Sequence, residues 1–543
     1  MRTRRMAGVA ASILAGSLAL AACGAEEPAD DAGAGGGEGG GDAVVTVNGT
    51  EPQNPLIPTD TNEVEGGKVV DLLFSRLVEY DAEGAVRNEV AESIETEDNQ
   101  TYTITLEEGW TFSDGSPVTA SSFVDAWNFG ALLSNAQANI EFFSSIQGFS
   151  AEQDSPLTGL QVVDDRTFTV TLNQPESDFP HRLGYTAFSP LPEAAFQDMA
   201  AFGENPIGNG PYRLAGEGAW EHNVQIELVP NEEYQGERVP QNGGVTVRMY
   251  ENLDAAYNDL LSGNLDVLDE VPASVFQTFE DELAGRSVNQ PAALNQTIAF
   301  PAYVPQLSGE AGRLRRQAVS HAINREEITE AIFFGTRTPA TDYSSPVIEG
   351  YSDSIPGNEV LEYDPDLAKD LWAQADAIQP WEGTFTISTN TDADHQPWVD
   401  AVNNSLRNTL GIDAELEPYA QFSEFLDARD NQRITGAFRA GWQADYPSLA
   451  NYLAPVFTTA AIGGSNDTWY SNPEFDDLVT RSNTAASSDE AIELLQQAEE
   501  ILFRDLPQLP LWYQNATGGW AEGVDNVEFG WNSVPLLYNV TKG

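Results

Sequence analysis

The side chains able to do covalent or metal chemistry are few and scattered. His181, His222, His321 and His395 stand far apart, and Cys23 is the only cysteine in the 543-residue chain. No two of these residues have the spacing of a zinc-binding helix, and there is no Gly-x-Ser-x-Gly elbow. The glycine run at residues 35 to 41 has no strand before it and no Lys-Ser/Thr after it, so it does not cradle phosphate. Carboxylates are abundant, 85 against 25 lysines and arginines, and a pool that large singles out no pair for glycoside hydrolysis. The composition therefore points to binding rather than turnover, with no metal and no cofactor expected. An exported hydrolase is the alternative from another class. In so acidic a background, arginines that cluster are candidate anion receivers.

The formal charge of −60 repels nucleic acid and anionic lipid, which excludes both as partners of the folded surface. Only Lys68, Lys369 and Lys542 supply lysine ammonium groups. At the N-terminus, Arg2, Arg4 and Arg5 precede the apolar run Met6 to Leu20 and then Leu20-Ala21-Ala22-Cys23. A basic stub, a short apolar stretch and small residues before a cleavage point make a signal peptide over 1–22, too short to span a membrane. The lone thiol has no disulfide partner within the chain, and its surroundings resemble the lipobox of bacterial lipoproteins. That resemblance implies that Cys23 is lipidated and tethers the mature protein to the outer face of the cell membrane. Residues 23–42, rich in glycine, alanine and acids, are expected to form a flexible linker.

The remaining stretch is too long for one core and is expected to divide into lobes. Alternating β-branched segments predict strands at Val44–Val47, Tyr102–Leu106, Thr167–Leu172, Gln225–Val229, Val245–Met249 and Thr384–Ile387. Helical periodicity covers Val69–Val78, Ala120–Phe129, Leu253–Leu261, Arg313–Phe334, Asp366–Ala377, Gln396–Leu410 and Asp489–Phe503. Thr119, Asp254 and Asp489 are the expected helix starts, Gly335 and Gly411 the stops, and Ser113-Asp114-Gly115-Ser116 a turn. Trp110, Phe112 and Trp127 are assigned to the core. Interleaved strands and helices over this length predict an α/β protein.

Seven segments then stand in a telling order: DLLFSRLVEYD (71–81), WTFSDGSPVTASSFVDAWNF (110–129), IGNGPYRL (207–214), LRRQAVSHAINREEI (314–328), FGTRTPA (334–340), GWQADYPS (441–448) and NPEFDDLV (472–479). Together they resemble the large extracytoplasmic solute-binding proteins of bacterial ABC importers, the peptide-binding family of oligopeptide- and dipeptide-binding lipoproteins. The resemblance implies a two-lobed, hinged, periplasmic-binding-protein-like fold, large type, with an extra subdomain in the first lobe. The implied division is 43–74 for the first part of lobe I, 75–194 for the extra subdomain, 195–300 for the second part of lobe I, 301–513 for lobe II and 514–543 for the return to lobe I. It also implies a monomer that hands short peptides to permease subunits and their ATPase. A cargo other than a peptide (metal chelate, oligosaccharide, opine or antibiotic) is the alternative within the same fold.

FLDARDNQRITGAFRAGWQADY (425–446) is similar to the ligand-binding segment of the oligopeptide-binding members. By that likeness Asp445 receives the ligand's α-ammonium, while Arg439 holds its carboxylate. Arg429 and His395 do so for longer ligands. Trp442 and Phe422 wall side-chain pockets, with Tyr513 a further pocket candidate. Gly441 to Gln443 on one side and Glu63 to Glu65 on the other are the implied strand-pairing edges. The residue types suit the task. A short peptide offers one fixed cation, one fixed anion and a repeating backbone, and a carboxylate, a guanidinium fork and an open strand are their natural receivers.

Overall fold

The computed structural model describes residues 42–391 and 395–543, so Cys23, the signal segment and the linker up to residue 41 lie outside the described residues. The architecture is mixed α/β. One twelve-stranded sheet runs through the molecule, and a separate four-stranded antiparallel sheet is built from Ala91–Thr96, Thr101–Leu106, Leu160–Val162 and Thr167–Thr171. Among the described residues no helix is long and apolar enough to cross a membrane.

Two large hydrophobic cores form. The first gathers residues from Val45 to Leu283 and again from Ala521 to Val540, with Trp110, Phe112 and Trp127 inside it. The second runs from Ala293 to Trp512 and takes in Trp531. Two thirteen-residue strands, Ser287–Ala299 and Gln508–Trp520, pair antiparallel and carry the chain between the cores. Their register breaks between Pro291 and Asn295, where proline cannot donate to the ladder, so the crossing is interrupted where one core gives way to the other.

The β-branched alternation maps onto strands Val44–Gly49, Gln225–Pro230, Gly244–Met249 and Phe385–Asn390, and the helix Leu253–Leu261 has the expected bounds. Thr119 caps Ala120–Ala131 in a reciprocal pair with Ser122. Three expectations change. The helix expected at Val69–Val78 lies at Val64–Leu73, because the Glu63 carboxylate accepts from the Glu65 and Gly66 N–H groups and starts it five residues earlier. The helix expected over Arg313–Phe334 is two, Gly309–His321 and Arg325–Phe333, the second capped by the Asn324 side chain. The starts placed at Asp254 and Asp489 belong to Asn252 and Ser487, whose oxygens accept the orphan N–H groups.

The strand Ala437–Gln443 matters most for the site. One edge pairs from Phe438 to Gln443 with Ser287–Ala299, but on the other edge only Ala437 and Phe438 meet a partner among the described residues, the parallel strand Phe385–Asn390. The Trp442 N–H donates to Asn295 Oδ1 at 2.8 Å and the Ala444 N–H to the Ala293 carbonyl at 2.9 Å, both toward the paired edge. Strand alternation therefore turns the N–H and C=O groups of Gly441 and Gln443 to the open edge, and both residues are exposed. Gly441 is required where the strands approach closely, since a Cβ there would stand 2.5 Å from the Asn295 carbonyl oxygen. Gly441→Ala is expected to lower stability by about 1–3 kcal/mol by forcing the strands apart, measured by chemical denaturation.

Candidate ligand-binding site

Asp445 sits in the short loop between the strand Ala437–Gln443 and the helix Leu449–Phe457. Asn451, one turn into that helix, holds it. The Asn451 amide nitrogen donates to Asp445 Oδ2 at 3.1 Å, and the Asn451 oxygen accepts from the Asp445 N–H at 3.1 Å and from the Trp442 indole N–H at 3.0 Å. One buried amide thus fixes both the carboxylate and the ring beside it. Asn451 escaped the sequence reading, because nothing local distinguishes it from any other asparagine in a helix. The loop is pinned at its far end by Ser448, whose hydroxyl donates to Asp178 at 2.5 Å and accepts from the Ala450 N–H.

Asp445 forms no ion pair with any described residue. Loss of water around it pushes its carboxyl above the ordinary range, against the opposing pull of the Asn451 hydrogen bond and the Arg182 guanidinium. It faces a cavity of about 410 Å³ whose other walls include Glu63, Asp71, Arg76, Tyr185 and Trp531, drawn from the first core's segments and from the C-terminal stretch. Gln443 lines this cavity and also a neighbouring one of about 350 Å³. The C-terminal end of the open strand edge therefore borders both cavities.

The cations on this wall are already engaged. Lys68 pairs with Glu65 at 2.9 Å and with Asp269, and accordingly its ammonium is pushed up to about 12 despite burial. Arg76 pairs with Asp71 at 2.7 Å and Glu79 at 3.0 Å, and Arg238 reinforces both acids. Burial still raises Glu79 to about 8, outweighing the two guanidiniums.

The other expected ligand residues fall elsewhere. Arg439 donates to Asn390 Oδ1 at 3.1 and 2.7 Å and lies over the Phe422 and Phe425 rings, so Arg439 and Phe422 are brought together. Arg429 pairs with Asp430 at 2.9 Å and Asp467 at 2.8 Å; burial pushes Asp467 up to about 6 even so. His395 precedes the helix Gln396–Leu410 and its Nδ1 accepts from the Trp398 indole at 3.3 Å. None of these four lines either cavity beside Gln443. Tyr513 is interior, not a wall of those cavities: it is 1% exposed, and its hydroxyl accepts from the Thr341 and Asp342 N–H groups and donates to the Asp342 carbonyl. The strand edge expected at Glu63 to Glu65 is also corrected. Glu63 is a helix cap and Glu65 lies in the first turn, so their backbone is committed to the helix, although the Glu63 side chain still borders the cavity.

The sequence pattern described as bacterial extracellular solute-binding proteins, family 5, matches residues 85–464. The chain belongs to that family. Relatives of this solute-binding protein include the oligopeptide-binding protein OppA of Bacillus subtilis, 26% identical over 92% of this chain and 93% of its own length. The periplasmic oligopeptide-binding protein OppA of Salmonella typhimurium is 28% identical over 87% of each. The unliganded open form of the periplasmic murein tripeptide binding protein MppA superimposes with a TM-score of 0.78 at 22% identity, covering 93% of this chain and 99% of that one. That likeness establishes the two-lobed periplasmic-binding-protein fold for this solute-binding protein. The family's members are extracytoplasmic binding proteins for transport.

Proposed function

We propose that this solute-binding protein captures short peptides in the cleft beside Ala437–Gln443 and delivers them to a membrane permease driven by its ATPase. Asp445 receives the α-ammonium, and the open edge at Gly441 and Gln443 pairs with the peptide backbone as an added strand. Arg439, with Arg429 and His395 for longer ligands, receives the carboxylate, and Trp442 and Phe422 wall side-chain pockets. The observation that carries this reading is a carboxylate without an ion pair, turned into a cavity at the end of an unpaired strand edge. A desolvated acid with no ion-pair partner among the described residues is costly, and an incoming ammonium removes that cost. The names of the OppA relatives point the same way. A relative named as a probable deoxycholate-binding periplasmic protein, 28% identical over 87% of this chain, keeps a non-peptide cargo as the competing outcome.

Thermal shift with a pool of short peptides, and with the same pool N-acetylated, separates the two. Stabilisation by the free-amine pool alone is expected, since ligand binding raises apparent stability by mass action. Equal stabilisation by the acetylated pool would remove Asp445 from the ammonium role, and no response to either would favour the other cargo.

The lone Cys23 after its signal-like segment is proposed as the lipid anchor, with the protein monomeric on the outer face of the membrane. Cys23→Ser is expected to move the protein from the membrane fraction to the medium, followed by immunoblotting of both. Retention on the membrane would indicate another tether.

A further inference from the structure

Apart from the paired strands Ser287–Ala299 and Gln508–Trp520, the two cores also meet beside Asp445. The first core contributes Asn99, in the turn between Ala91–Thr96 and Thr101–Leu106, together with Ser177 and Asp178 ahead of the short helix Phe179–Arg182. The second contributes the end of the helix Pro473–Ser482 and the loop that carries Asp445 to Ser448. Carbonyls that end a helix lack intrahelical donors, and here the other core supplies them. The Ser177 hydroxyl donates to the Ser482 carbonyl at 2.9 Å and the Ser177 N–H to the Asn483 carbonyl at 3.2 Å. The Asn99 amide donates to the Ala485 carbonyl at 2.9 Å and the Asn483 carbonyl at 3.4 Å, and Asp178 accepts the Ser448 hydroxyl at 2.5 Å.

The Asn99 side chain is aimed by its own turn. Its backbone is left-handed, with φ at 55°, a conformation that asparagine tolerates better than most residues. Thr96 Oγ1 accepts the Asn99 N–H at 2.9 Å, and Asp98 Oδ1 accepts those of Gln100 and Thr101 at 2.9 and 2.8 Å. Both sides of this seam run straight into the 410 Å³ cavity. Asp445 stands three residues before Ser448, while Gly184, Tyr185 and Thr186, which wall the cavity from the first core, follow Arg182. The Arg182 guanidinium crosses the seam as well, 5.9 Å from the centre of the Tyr446 ring.

We infer that this seam holds the two walls of the ammonium site at their binding separation before ligand arrives, with Asn99, Ser177 and Asp178 as positioning residues that act through the loop bearing Asp445. This rests on the peptide reading of the cleft. Two long strands alone would leave the cores free to swing about them. Each seam hydrogen bond is exchanged for one to water when the cores part, a modest difference apiece, but several bear on a single equilibrium. The fraction of molecules with a competent site scales the apparent affinity directly.

The test combines Asn99→Ala and Ser177→Ala in one chain, read by titration calorimetry with tri-alanine and by small-angle X-ray scattering. Affinity should fall about tenfold, and the unliganded variant should show a larger radius of gyration than the unaltered protein, with the difference gone at saturating tri-alanine. An affinity within about twofold of the unaltered protein overturns the inference. So does a full loss of affinity with no change in the radius of gyration, since the two residues would then act locally. In the unaltered, unliganded protein the Ser177 amide should exchange its hydrogen slowly, and exchange at the rate of an open loop overturns the inference even if the variant fails to fold. The peptide reading fails separately, through equal binding of N-acetylated tri-alanine by the unaltered protein, and binding of neither peptide overturns both.

Discussion

Asp445→Ala is expected to weaken binding of a free-amine tripeptide by at least about thirtyfold, roughly 2 kcal/mol of the 2–5 kcal/mol that a desolvated charge pair is worth. The same substitution should leave the fold intact. Among the described residues Asp445 forms no ion pair and its side chain takes a single hydrogen bond, from Asn451 at 3.1 Å, and loss of water already works against its charge. Removing such a group relieves desolvation as much as it removes contact, so the denaturation midpoint should move little. Titration calorimetry and urea denaturation on one preparation give both quantities. Lost binding accompanied by lost stability would make Asp445 a structural residue and not an anchor.

Arg76→Ala should do the opposite, acting first on stability. Arg76 is 2% exposed and joins Asp71 and Glu79 on the cavity wall, so its loss leaves two half-buried acids with Arg238 alone. Breaking a fully buried pair from one side costs about 3–5 kcal/mol, and the part-exposure of both acids places the loss here at about 2 kcal/mol. The pH dependence has a defined sign. Burial raises Glu79 from an ordinary 4.5 to about 8, so the folded protein holds a proton there that the unfolded chain releases. Stability from this group is therefore greatest at acid pH and falls as pH rises from about 4.5 to about 8. Without Arg76 the carboxyl rises further, and the deficit of the variant should shrink on acidification as Glu79 takes up its proton. Urea denaturation at pH 5 and pH 8.5 measures this. A deficit that grows in acid would mean that Arg76 acts through something other than these carboxylates.

What could be read from the sequence was whatever local pattern determines. Strands such as Gln225–Pro230 and helices such as Leu253–Leu261 declare themselves through the periodicity of one buried face. Glu63 and Asn324 were misjudged because a cap is a single side-chain contact, and glutamate is not a usual capping residue. At the candidate site, the segment around Gly441-Trp442-Gln443-Ala444-Asp445 singled out Asp445 and the strand edge at Gly441 to Gln443 as candidates. It did not reveal Asn451 beneath them, nor Ser448 reaching Asp178 across 270 residues of chain. Those partners arise from the meeting of distant segments, which leaves no local trace.

A crystal structure of the protein saturated with tri-alanine tests the central claim most directly. The account predicts the peptide's ammonium nitrogen about 3 Å from the Asp445 carboxylate, with ligand backbone groups hydrogen-bonded to Gly441 and Gln443. An ammonium resting in solvent, or a peptide seated away from that strand edge, would contradict it.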